Sequence, residues 1–177
     1  MHPRIQELIS YIDDRRRDLR AAADSVPRER WSAAPGESRW SVDDVLEHLV
    51  VVERRIASVL EAHIAEAKQA GLAREMDESS QIEAMRLNRY VDRGTRIVSR
   101  TPLPRAGMSP DEALSALDQS RAALTAAIQT GDGFALGTLS APHPAFGPLN
   151  LYEWIGFVGA HEGRHAAQIR EIGEALA

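Results

Sequence analysis

SVDDVLEHLVVVERRIASVLEAHIAEAKQAG, residues 41–71, repeats its apolar positions at intervals of three and four. Val42, Val45, Leu49, Val52, Ile56 and then Val59 or Leu60 fall on one side of an α-helix, with His63 farther along the same side. Ser41 can accept from a free N–H of the first turn, and Asp44 three residues on makes a carboxylate variant of the capping box. The helix is expected to continue through Lys68, Gln69 and Ala70 and to stop at Gly71. A helix with one apolar side must cover that side with other elements.

Three more segments carry the same period. Ile5, Leu8, Ile12, Leu19, Ala22 and Val26 form a stripe that predicts a helix from Pro3 to about Val26, with Pro3 in the first turn and Pro27 as the stop. PRERWSAAPGESR then reads as a loop ending at Trp40. Ser109, Pro110, Asp111 and Glu112 mark another start, followed by Leu114, Leu117, Leu124 and Ile128 and ended by Gly131. Arg121 lies on that stripe between Leu117 and Leu124. Asn150 with Glu153 resembles a further capping box and opens a last helix reaching Leu176. Its expected buried face is Leu151, Trp154, Val158, His161, His165, Ile169 or Ile172, and Leu176. Between these helices, SSQIEAMRLNRYVDRG predicts a shorter one from Ser80 to about Asp92, and TPLPRAGMSP a loop. GDGFALGTLSAPHPAFGPLN, with four Gly and three Pro, reads as a long loop passing over one end of the molecule.

The expected fold is therefore all-α: a four-helix bundle forming a single domain over residues 1–177, with a long loop before the C-terminal helix. A 44% hydrophobic fraction with only three each of Trp, Tyr and Phe suits aliphatic helices better than sheets. Twenty-one Lys and Arg against 26 Asp and Glu, net −5, argue against a broad nucleic-acid surface. Cysteine is absent, which removes disulfides, thiolate ligands and a Cys nucleophile. The opening MHPRIQELISYIDDRRRD becomes charged too early for a signal peptide, and no apolar run approaches the ~20 residues that cross a bilayer. A cytoplasmic protein without membrane contact is the expectation.

Chemistry concentrates in HEGRH, residues 161–165. Histidines four apart on a helix differ by about 40° in direction and ~6 Å along the axis, so both imidazoles can reach one ion. The alternative is a pair hydrogen-bonded to nearby polar groups. The stretch also fits the H-E-x-x-H of zinc peptidases, whose third ligand comes downstream. Here only 12 residues follow, Gln168 and Glu171 stand where a longer peptidase pattern needs glycine and histidine, and no substrate-binding edge strand is evident. Glu162 is read as facing solvent or a neighbouring helix rather than as a catalytic base. A third ligand should come from upstream. His48 and His63 both lie on the second helix, ~22 Å apart, so one ion cannot readily use both. His143 either lies above the site or shapes its loop, and His2 is read as a frayed terminal residue.

Trp40-Ser41, Glu47-His48-Leu49 and HPAFGPLNLYEWIGFVGAHEGRHAAQI together resemble the DinB-like, or YfiT-like, superfamily of metal-dependent enzymes. That resemblance implies a four-helix bundle and, carried onto matching positions, a metal site of His48, His161 and His165. It also implies a divalent ion, zinc or nickel, acting on a small-molecule substrate. Relatives include bacillithiol transferases and mycothiol-dependent maleylpyruvate isomerase, so a low-molecular-weight thiol cofactor and a thiol S-transferase or hydrolase activity are expected. The rival expectation is a non-enzymatic ligand-binding or homodimeric stress-related bundle with a structural metal. A homodimer is compatible with the resemblance and with the Ala-rich helices. Arg121 is the substrate-orienting candidate, to receive an anionic group; equally, its guanidinium would pair with a buried carboxylate. Trp154 is read as a core residue, and Gln168 as serving a neighbouring helix or a polar site.

Overall fold

A computed structural model describes residues 1–85, 87, 90 and 107–177. Its helices are α1 (Pro3–Asp24), α2 (Val42–Gln69), α3 (Gln81–Ala84), α4 (Pro110–Thr130) and α5 (Leu151–Leu176). The four long ones form the bundle, with α1 packed along α5 and α2 along α4. No helix among the described residues is long and apolar enough to cross a membrane.

Local chemistry sets the helix starts. Ser41, Ser109 and Asn150 each accept from the N–H three residues on, while Asp44, Glu112 and Glu153 return the bond to the cap N–H. Each reciprocal pair satisfies two backbone donors that the helix itself leaves free. His2, expected to be frayed, instead caps α1: its Nδ1 accepts from Arg4 N–H, and its own N–H donates to Asp132 at 2.7 Å. The short helix expected from Ser80 does begin there, but α3 ends at Ala84 and Met85 is extended. Most of its expected remainder, and most of the TPLPRAGMSP loop, lie outside the described residues.

The Pro- and Gly-rich connection is more ordered than a loop. Ser140–His143 (β1) pairs antiparallel with Gly147–Asn150 (β2), and Gly147 supplies the turn's positive φ of 74°. Pro142 faces Pro148 in this ladder. Opposed prolines are tolerated only where the ladder requires neither N–H, which is why the composition reads as loop.

Four charged side chains cross the bundle, one from each long helix: Arg16, Glu53, Arg121 and Glu162. Arg16 donates to Glu53 at 2.8 Å and to Glu162 at 2.7 Å. Arg121 donates from Nε to Glu53 at 2.7 Å and from Nη2 to Glu162 at 2.9 Å. Arg16 Nη1 donates to the Leu117 carbonyl, Arg121 Nη1 to the Ile12 carbonyl and, at 3.0 Å, to Asp13 Oδ1, and Ser120 donates to Glu53. This layer divides the interior. Ile12, Ile56, Leu124 and Ala160 belong to one apolar cluster, and Leu19, Val50, Leu117 and Ala166 to the other.

Candidate metal centre

His48 is carried by the second turn of α2, and His161 and His165 by consecutive turns of α5. Packing brings the three rings together at centroid separations of 5.1, 4.9 and 4.5 Å. Their Nε2 atoms converge: His161 Nε2 is 3.3 Å from that of His48 and 3.1 Å from that of His165. Among the described residues these three form the group able to hold a metal ion, with one donor atom from each within 4.8 Å of the others. His63 lies elsewhere, its Nδ1 at 2.9 Å from the Val59 carbonyl.

The environment favours neutral rings at His48 and His161. Burial pushes His48 down to about 4 and holds His161 well below the usual imidazole range, where neighbouring histidines add to the shift. His165 Nδ1 meets Gln168 Oε1 at 2.8 Å. Since that oxygen only accepts, Nδ1 carries the proton and Nε2 presents its lone pair. Gln168 therefore serves the polar site, the second of the two roles expected for it. With Nε2 unprotonated on all three rings, the inward lone pairs would repel one another unless a cation lay among them. Tetrahedral ligation at 2.0–2.1 Å would place nitrogens roughly 3.3–3.4 Å apart, close to the spacings found. The donor set fits a borderline ion such as zinc or nickel better than magnesium or calcium.

Aromatic rings border the histidines. Trp40 lies 4.9 Å from His48 and is nearly parallel to His165 at 6.1 Å. Phe157 stacks on His161 at 5.1 Å, and His143 packs on Phe157 at 4.6 Å. His143 Nδ1 also accepts from Ala145 N–H, so it shapes the hairpin turn while reaching the site through Phe157. Trp154 is buried, its Nε1–H donating to the Ala141 carbonyl, which fixes the hairpin against α5.

Glu162 does not face solvent. It is 2% exposed and sits in the charge layer between α1 and α4. Burial pushes its carboxyl up, and the Arg16 and Arg121 guanidiniums oppose that shift. Arg121 pairs with the buried carboxylates of Glu53 and Glu162. Arg16 and Glu53 escaped the sequence reading. Their signal was present as charges within apolar stripes, Arg16 between Ile12 and Leu19 and Glu53 between Val50 and Ile56.

Two cavities adjoin these elements. One of about 10 Å³ lies between His161 and the charge layer. A wider one, about 370 Å³, opens at the start of α2 beside Asp43, Asp44 and Glu47, the last of which accepts from Met108 N–H at 2.6 Å.

Known proteins agree with this architecture. "Uncharacterized protein YuaE" of Bacillus subtilis (strain 168) is 29% identical over 150 residues, spanning 84% of this chain and 86% of that protein. The crystal structure of TT2238, a four-helix bundle protein, superposes with a TM-score of 0.63 over 94% of this chain and 98% of that one; at 21% identity the likeness concerns the fold. The DinB superfamily model matches residues 11–169, a span containing all three converging histidines. The bundle, the histidine group and this match lead to one assignment: the chain belongs to the DinB superfamily.

Proposed function

We propose that this protein is a metal-dependent enzyme acting on a small molecule through His48, His161 and His165. The observation that carries the proposal is the convergence of three Nε2 atoms from two helices. Zinc or nickel held there would supply Lewis acidity, lowering the pKa of a thiol or water brought to it. The protein's own contribution is to keep His48 and His161 neutral by burial, to fix the His165 tautomer through Gln168 and to wall the site with Trp40 and Phe157. Three protein donors leave room for a further partner, as in catalytic rather than structural zinc sites. Among reactions, attack by a low-molecular-weight thiol on an electrophile, or hydrolysis, suits this chemistry best.

Protein purified without an affinity tag and exposed to Zn²⁺ or Ni²⁺ should retain one ion per chain. With metal at 100 times its Kd, the unfolding temperature should rise by about 5–10 °C. A protein that stays metal-free with unchanged stability contradicts the proposal. A screen of thiols against electrophiles should then find turnover that His48→Ala abolishes. A fourth protein ligand closing the shell would instead favour a structural metal in a non-enzymatic bundle.

A further inference from the structure

The cavity of about 10 Å³ lies between the histidine group and the buried charge layer. Its polar lining is His161, Glu53 and Glu162; Leu49, Val52, Ile56 and Val158 close the rest. Arg121 grips one oxygen of each carboxylate through the same fork, Nε on Glu53 Oε1 and Nη2 on Glu162 Oε2. Those two oxygens are therefore neighbours. A carboxylate oxygen has two lone pairs, so each can accept a second bond. His161, which also lines the cavity, directs Nε2 at His48 and His165, so a bond from its ring into the cavity would come from Nδ1. A space of this size is at the lower limit for a single water, and a water needs two to four polar partners.

We infer that the cavity is a one-water site through which Glu162 and Glu53 position His161. The water accepts from His161 Nδ1–H and donates to Glu162 Oε2 and Glu53 Oε1. With Nδ1 protonated, the His161 lone pair lies on Nε2, beside those of His48 and His165. Glu162, the glutamate of HEGRH, is then a positioning residue that acts through a histidine rather than on substrate. Carboxylates commonly orient metal-bound histidines in this way, and losing one typically weakens metal affinity about 10–100-fold. The inference rests on the metal-site reading, and its test separates the two.

Val158 lines the cavity and is buried, so Val158→Ile places an extra methylene where the water would sit. Zinc affinity should fall about 10–100-fold in this variant, with helical content unchanged. An affinity equal to wild type overturns the inference. Crystals of the wild-type chain diffracting beyond about 1.5 Å provide the second arm. Ordered density within hydrogen-bond distance of His161 Nδ1 and of a Glu53 or Glu162 oxygen is expected, and a dry cavity overturns the inference whatever the variant does. Wild-type protein that takes up no zinc would defeat the metal reading, while the crystal arm still decides whether water links His161 to the carboxylates.

Discussion

At the scale of single residues, the site depends on which nitrogen of each histidine faces inward. Gln168 makes that choice for His165. Gln168→Leu should therefore weaken zinc binding about 10–100-fold, measured by competition with a chelator; an unaltered affinity would show that the contact is incidental. Burial adds a dependence on pH. His48 and His143 are both pushed from 6.5 to about 4, so between those values the unfolded chain holds protons that the folded chain does not. The stability from these rings is complete above pH 6.5 and is lost as the pH falls from about 6.5 towards about 4. Urea midpoints of the metal-free protein should drop between pH 7 and 4.5, less steeply in His143→Phe; a flat profile contradicts the neutral-ring account. The HEGRH pair was legible because both residues lie on an apolar stripe. Choosing His48 over His63 was not, apart from the family resemblance, since both lie on one face of α2. Only the level at which α5 crosses that face decides it.

Among the elements, α5 matters most because it carries two of the converging histidines and the end of the hairpin. Its start is held by the Asn150 and Glu153 capping box. Asn150→Ala should cost about 1 kcal/mol in denaturant unfolding. No loss at all would mean that the hairpin alone fixes the entry into α5. The capping signals at residues 41, 109 and 150 were readable because each is local chemistry within four residues. The hairpin was hidden because prolines and glycines signal loops, and their pairing depends on register rather than composition. His2 was misread for a related reason: its capping role is secured by Asp132, 130 residues away.

Across the whole molecule, the buried charge layer ties all four long helices at one level and separates two apolar clusters. Such a layer contributes little net stability when complete, but breaking it strands charges in the interior. Arg121→Met should cost on the order of 3–5 kcal/mol, several times the Asn150→Ala effect. A loss below about 1 kcal/mol would mean that Glu53 and Glu162 are adequately held by Arg16 alone. Arg121 stood out in the sequence as a cation on a stripe, yet its partners come from α2 and α5, and one chain's periodicity does not say which stripes will meet. The most direct test of the central claim is anomalous diffraction from crystals of the full chain grown with zinc. One peak about 2.0–2.1 Å from the Nε2 atoms of His48, His161 and His165 is expected. Ordered zinc at other residues with these three histidines uncoordinated would contradict it.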